Sequence, residues 1–331
     1  MSSHASIFRG VWVPLVTPFL PAGGRAKAKR GVSGGSKPRA RSEGLDLTGG
    51  VDGGALRRLV RYYQSAGVDG LVVCGSTGEA AALDDAEQLA VLDTVLEEAD
   101  GLPVMMGLAG NHQGHVLQRL AAFGTRPLAG VLTPAPYYVR PGQQGALAYF
   151  QALADASRVP LVLYDIPYRT GAALDTETLL ALAKHDNIAA IKDCGGSLDK
   201  TVALIADGGM QVMAGEDLQA LSTMCLGGSG MIAAAAHIRP DLFVAMHRAV
   251  SAQQLDVARG LFHALAPVIR LVFAEPNPGP VKALLARQGL LSEVLRAPMP
   301  TASPALAAQL EAAVMALNQV FPIATRLGIA A

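Results

Sequence analysis

The sequence predicts a (β/α)8 barrel, and three observations predict it. Eight short apolar runs recur between Val11 and Ala233, most intervening segments carry helical periodicity, and polar or glycine-rich clusters fall just past the run ends. The runs are Val11–Thr17, Gly70–Cys74, Pro103–Leu108, Gly130–Thr133, Pro160–Asp165, Ile188–Lys192, Gln211–Ala214 and Gly230–Ala233. Leu56, Leu59, Val60 and Tyr63 mark one amphipathic helix, and Leu89, Leu92, Val95 and Leu96 mark another. Helix starts are expected at Asp84-Asp85-Ala-Glu87, Asp175-Thr-Glu177 and Ser197-Leu-Asp199, where short polar side chains can cap free N–H groups. A doubly wound open sheet is the competing fold, but it lacks its Gly-x-Gly-x-x-Gly loop after the first strand.

Beyond the eighth run, the Ala- and Leu-rich sequence from Pro240 to the end exceeds one closing helix. The expected division is a barrel over 1–239 carrying the active site and a C-terminal helical domain over 240–331, serving packing and subunit contact. Residues 21–50 break the pattern. They combine Gly and Ser with Arg25, Lys27, Lys29, Arg30, Lys37, Arg39 and Arg41 and carry no apolar period. A flexible, solvated loop is expected there, on the barrel face where active sites lie. A lid or a small anion or nucleic-acid contact stays open.

Composition narrows the function. The 331 residues are 51% hydrophobic with zero formal net charge, so the molecule as a whole has no electrostatic footprint for nucleic acid or membrane. Cys74, Cys194 and Cys225 show no metal or disulfide spacing and are expected to be buried, inert thiols. Alternation does not decide whether Cys194 faces the same pocket as Lys192. The start, Met1-Ser-Ser-His-Ala-Ser-Ile-Phe-Arg9, is polar and mixed, so a soluble, cytoplasmic protein is expected.

The most informative residue is Lys192, at the end of Asn187-Ile-Ala-Ala-Ile-Lys-Asp193 in a chain with 20 Arg and only 7 Lys. Burying an ammonium is costly, and the usual relief is a lowered pKa. A free lysine near pKa ~10.4 is only about 0.1% neutral near pH 7.4; a shift of ~3 units, about 4 kcal/mol, leaves roughly half neutral. That neutral amine is the nucleophile of Schiff-base chemistry. The alternative is a lysine snorkelling out of a strand end.

Other polar groups gather at the same predicted mouth. Gly75-Ser-Thr-Gly-Glu79 follows the second run, Thr133-Pro-Ala-Pro-Tyr-Tyr-Val-Arg-Pro141 the fourth, Tyr164-Asp-Ile-Pro-Tyr-Arg-Thr-Gly171 the fifth and Ala214-Gly-Glu-Asp217 the seventh. The glycine-bounded hydroxyls of Ser76 and Thr77 suit a nest for a small carboxylate, or else an ordinary capped turn. Tyr164 can relay protons around an imine, or else sit satisfied in the core. Arg169 can grip a carboxylate bidentately, or else form a surface ion pair.

These motifs, with Val13-Pro-Leu-Val-Thr-Pro-Phe19 and Glu275-Pro-Asn-Pro-Gly-Pro-Val-Lys282, make the chain resemble the pyruvate-dependent class I aldolases of the dihydrodipicolinate synthase and N-acetylneuraminate lyase superfamily. The resemblance covers nearly the whole chain and leans to the synthase branch, because Arg169-Thr-Gly171 resembles its carboxylate-binding arginine. It implies a (β/α)8 barrel with a C-terminal helical domain, usually in a homotetramer. It implies that Lys192 forms the Schiff base with pyruvate, that Tyr164 donates and accepts protons, and that Ser76 completes the relay with Tyr138 reaching in from a neighbouring subunit. Thr77 would hold the pyruvate carboxylate, Arg169 the second substrate, aspartate semialdehyde, and Ile232 and Gly215 would line the pocket. No metal or organic cofactor is implied. The alternatives are a Schiff-base aldolase or dehydratase for a 2-keto-3-deoxy sugar acid or hydroxylated keto acid, and a catalytically silent barrel binding through its basic loop.

Three departures stand out. Ser76 replaces the synthase threonine, keeping the hydroxyl. Asp193-Cys-Gly-Gly196 replaces the common Glu-Ala-Ser/Thr-Gly. Asp85, Gln88 and His115 fall at or near positions of the bacterial lysine feedback site, which implies little or no inhibition by lysine.

Overall fold

The computed structural model describes residues 7–21 and 49–322. Eight strands, β1 (Gly10–Pro14), β2 (Gly70–Val73), β3 (Val104–Gly107), β4 (Gly130–Pro134), β5 (Leu161–Asp165), β6 (Ile188–Asp193), β7 (Gln211–Ala214) and β8 (Gly230–Ile232), form a closed barrel in chain order. Every neighbouring pair is parallel, and β8 closes onto β1 through Gly10 opposite Gly230. All eight predicted strands are present within a few residues. The first is shorter than expected: its ladder ends at Pro14, although the Leu15 N–H still donates to the Val72 carbonyl at 2.8 Å.

The helices between the strands are α1 (Gly53–Ala66), α2 (Asp85–Glu98), α3 (Gln113–Ala122), α4 (Gln143–Ala156), α5 (Pro167–Thr170), α6 (Thr176–Leu182), α7 (Leu198–Asp207) and α8 (Ala220–Cys225). The starts fall where the short polar residues stand. Asp84 and Glu87 form a reciprocal capping box on α2, and Ser197 caps α7 through the Lys200 N–H. After the barrel come α9 (Pro240–Ser251), α10 (Leu255–Val272), α11 (Gly279–Arg287) and α12 (Pro304–Val320). α9 packs against β1, α1 and α8, while α10 packs against α9, α11 and α12.

Two apolar clusters explain why the barrel holds. Outward-facing strand residues such as Val13, Leu71, Met106, Leu163 and Ile191 join the helices in one large core. Inward-facing Trp12, Val72, Met105, Leu132, Val162, Ala190, Met213 and Ile232 fill the lumen. The barrel interior is therefore packed, and open space is left only toward its ends. Cys74 and Cys194 are buried as expected, but Cys225 is exposed, because it ends a one-and-a-half-turn helix on the outer face. The basic stretch lies outside the described residues apart from its edges. Those edges meet: Leu20 N–H donates to the Gly50 carbonyl at 2.8 Å and Asp52 N–H to the Pro18 carbonyl at 2.9 Å. No helix among the described residues is long and apolar enough to cross a membrane.

Candidate active site

Strand alternation decides the orientation of Lys192. Along β6, Ala190 faces the lumen and Ile191 the helices, so Lys192 turns inward and Asp193 outward. Asp193 then accepts the Thr201 hydroxyl of α7 at 2.6 Å and the Gly195 N–H at 2.8 Å. Lys192 is 5% exposed and opposite Tyr164 in the β5–β6 register, with Nζ 4.4 Å from the tyrosine ring centroid. Burial pulls its amine below the ordinary lysine pKa, against the attraction of Asp217 and Glu216. Burial also holds the Tyr164 phenol well above 10, opposed by a hydrogen bond with Ser76. The pair is thus an amine less basic than a free lysine beside a phenol that keeps its proton at neutral pH.

A cavity of about 170 Å³ opens at the C-terminal ends of the strands, lined by Gly75, Ser76, Tyr137, Tyr164, Arg169 and Thr170 among others. Lys192 does not line it directly, but its Nζ lies against the ring of Tyr164, which does. Arg169 is exposed at the rim and pairs with no carboxylate among the described residues, so the surface ion pair weighed above does not form. Its neighbour Tyr168 donates to Glu216 Oε1 at 3.0 Å.

The Gly75–Glu79 loop is bracketed by left-handed residues, Cys74 at φ 52° and Glu79 at φ 54°. Neither is glycine, and each such conformation costs on the order of 1–2 kcal/mol. Gly78 and Glu79 donate their N–H groups back to Gly75 and Ser76, whereas those of Ser76 and Thr77 have no backbone acceptor among the described residues. Thr77 is 3% exposed, and its hydroxyl accepts from Asn277 Nδ2 at 2.8 Å.

The remaining expected residues occupy distinct places. Ile232 is fully buried in the lumen cluster that also contains Tyr164. Gly215 lies directly against the Lys192 side chain. A Cβ there would come within 2.9 Å of Lys192 Cγ and 2.3 Å of Cys194 Sγ, so only glycine lets the lysine pass. Tyr138 does not enter its own cavity. It sits at φ 69°, 86% exposed, on a loop tied back by its N–H to the Thr170 carbonyl (3.3 Å) and by Arg140 Nε to the Gly171 carbonyl (2.8 Å).

Several residues at the site carried no assigned role in the sequence. Cys194 proves to be in the lumen cluster, and burial pushes its thiol upward. Asp217 is buried and raised to about 7 by burial, while accepting the N–H groups of Ala235 and Ala234. The Ala214-Gly-Glu-Asp217 motif at the end of β7 is the signal that marks it. The unusual Gly195 has a structural reason too. It leaves room for the buried Lys200–Asp165 ion pair, since a Cβ would sit 2.5 Å from Lys200 Nζ.

Eight parallel strands closed into a barrel, with an inward lysine among polar groups at their C-terminal ends, make this a (β/α)8 lyase of the class I aldolase type. The chain belongs to the dihydrodipicolinate synthetase family, whose model matches residues 40–317. It is 36% identical over 263 residues to a 4-hydroxy-tetrahydrodipicolinate synthase of Methanosarcina mazei, covering 78% of this chain and 90% of that one. Its identity to the Trichlorobacter lovleyi protein of the same name is 38% over 267 residues, 80% of this chain and 92% of the other. The crystal structure of dihydrodipicolinate synthase from Acinetobacter baumannii complexed with pyruvate superposes with a TM-score of 0.83 at 29% identity, covering 94% of this chain and 99% of that one. The resemblance in the sequence and the barrel it implied are both borne out.

Proposed function

We propose that this chain condenses pyruvate with aspartate semialdehyde, the reaction of 4-hydroxy-tetrahydrodipicolinate synthase, through an imine on Lys192. The observation that carries the reading is the buried Lys192 amine, its pKa lowered, against the Tyr164 ring at the barrel mouth. The neutral amine attacks the pyruvate ketone carbon, the oxygen leaves as water, and the C–N double bond forms. Loss of a methyl proton gives the enamine, with the iminium nitrogen as electron sink, so the cycle as written uses no metal or organic cofactor. The enamine carbon attacks the aldehyde, whose oxygen takes up a proton. The amino group of the second substrate then attacks the iminium carbon, the ring closes, and the lysine leaves as free amine.

Tyr164 moves the protons in this reading, with Ser76 beside it and Tyr138 of a neighbouring subunit completing the relay. The pyruvate carboxylate rests on the hydroxyl of Thr77 and on the N–H groups of Ser76 and Thr77. Arg169, without a carboxylate partner of its own among the described residues, takes the carboxylate of the semialdehyde. Ile232 and Gly215 shape the pocket wall. An outward Tyr138 supports at least a dimer, and the family pattern a homotetramer. Three free cysteines support a cytoplasmic setting.

Borohydride reduction in the presence of pyruvate tests the chemistry. A reduced pyruvyl adduct on the Lys192 peptide is expected, and its absence overturns the reading. Turnover is then measured with aspartate semialdehyde against a panel of 2-keto-3-deoxy sugar acids. Turnover of the sugar acids alone would show Arg169 to be wrongly assigned.

A further inference from the structure

We infer that Asn277 is a positioning residue for pyruvate, donating to the Thr77 hydroxyl so that this hydroxyl's own proton is aimed at the substrate carboxylate. The inference rests on the reading of Thr77 as a carboxylate ligand. Asn277 belongs to the Glu275-Pro-Asn-Pro motif, far from the barrel in sequence, and nothing in the catalytic cycle above uses it.

A hydroxyl has one proton to give and two lone pairs to offer. The Asn277 Nδ2 hydrogen bond, 2.8 Å and buried, occupies one lone pair of Thr77 Oγ1. The Thr77 proton itself reaches no protein acceptor among the described residues, and the N–H groups of Ser76 and Thr77 reach no backbone acceptor. Three donors are left for one small anion. The amide's Oδ1 is buried without a partner. Turning the amide round would exchange that orphan for an unpaired NH2, and would draw the Thr77 proton away from the ligand. The lone pairs of Oγ1 would then face a carboxylate and repel it.

The same short segment holds the loop at a second point. Lys282, fully buried, pairs with Glu79 Oε1 at 2.5 Å, two residues beyond Thr77. The Arg296 N–H donates to Glu79 Oε2 at 3.1 Å. Glu79 is one of the two left-handed residues that bracket the loop. The C-terminal segment therefore holds the loop at Thr77 itself and again at Glu79, two residues further on.

The test uses the full-length enzyme with Asn277→Asp, Asn277→Ala, Thr77→Val and the double variant Thr77→Val/Asn277→Asp. A new carboxylate at 277 takes the Thr77 proton and repels the substrate. The KM for pyruvate is expected to rise about 10- to 150-fold, the range of a lost hydrogen bond to a charged group. The KM for the aldehyde and the melting temperature stay near wild type. Lowering the pH, which neutralises the new carboxyl, recovers part of the affinity. Asn277→Ala gives a smaller rise of the same kind. In the Thr77→Val background, Asn277→Asp adds much less than it does alone, the mark of coupled groups. Should Asn277→Asp fail to fold, Asn277→Ala and Asn277→Gln carry the comparison. An unchanged pyruvate KM in these variants, or an equal effect with and without the Thr77 hydroxyl, overturns the inference. A wild-type enzyme that gives no pyruvyl adduct overturns the functional reading and this inference with it; an adduct without the KM shift overturns this inference alone.

Discussion

Lys192 and Tyr164 occupy paired positions on adjacent parallel strands, and the amine lies 4.4 Å from the centroid of the tyrosine ring. Neighbouring strands run about 4.7–4.9 Å apart, so the sheet itself sets the separation of these two inward side chains. The proposed nucleophile and its proposed proton partner therefore depend on barrel register and on no flexible loop.

Replacing Lys192 by Arg keeps a cation and removes the imine. Loss of the borohydride adduct and of measurable turnover is expected, with a melting temperature close to wild type. In the unaltered enzyme, adduct formation requires the neutral amine, and burial lowers the lysine pKa. The rate of adduct formation should rise with pH and level off below the ordinary lysine value. A rise continuing to pH ~10.4, the free-lysine value, would show a solvated amine.

Tyr164→Phe retains the ring against Lys192 and removes the hydroxyl. Turnover should fall about 10²–10⁴-fold, the usual contribution of positioned acid–base catalysis. Because the ring survives, the fold and the final extent of adduct formation should be kept while adduct formation slows. Unaltered kinetics would remove the phenol from the proton relay.

Gly215→Ala places a methyl 2.9–3.0 Å from the Lys192 chain and 2.3 Å from Cys194 Sγ. Displacing the lysine by about 1 Å is expected to lower turnover on the order of 100-fold. Adding Cys194→Ala removes the shorter clash and should restore part of the activity. No loss in the single variant would show that the lysine has another route to the cavity.

His237 gives a pH signature in stability. It is fully buried, accepts the Val16 N–H at Nε2 (3.2 Å), and has Nδ1 2.7 Å from the Ala234 carbonyl. Burial lowers its pKa to about 4, against 6.5 when free. Between those values the unfolded chain binds a proton that the folded chain refuses, so stability falls as the pH drops from 6.5 toward 4. The full loss is about 3 kcal/mol. Asp217, raised to about 7, acts in the opposite sense, because its folded form takes up a proton first. The measurement is therefore the difference between wild type and His237→Gln in denaturant titrations at several pH values. The variant should lose less stability on acidification, and parallel curves would contradict the assignment.

Inhibition by lysine should be weak or absent. Asp85 lies 3.3 Å from His115 Nε2 and pairs with Arg119 Nε at 3.1 Å, and Arg119 also donates to Gln88 and to the Ala109 carbonyl. The groups at those positions satisfy one another around a cavity of about 140 Å³, with an arginine where a lysine ammonium would be repelled. Half-maximal inhibition at sub-millimolar lysine in a steady-state assay would overturn this.

Most of the barrel was legible because buried strands leave short apolar runs and helices leave a 3.6-residue period. The helix starts at Asp84 and Ser197 were legible through their capping side chains. Ser76, Tyr164, Arg169 and Lys192 could be collected at one mouth because a parallel barrel places all strand ends together. Asn277 could not be collected this way: it meets Thr77 across 200 residues, and no local pattern encodes that distance. Cys225 is exposed against the expectation of burial, since a short helix at the surface shows no period to orient its last residue.

The sequence by itself determined the order of strands and helices, the lysine that stands out against an arginine-rich background, and the loops that carry polar chemistry. Local preferences act over a few residues, and those are printed in the chain. Only the tertiary structure decided that Lys192 and Cys194 turn inward together, that Gly215 makes room for the lysine, and that Tyr138 points away from its own cavity. Those outcomes depend on register, backbone handedness and close packing between distant segments, which exist only once the barrel has closed.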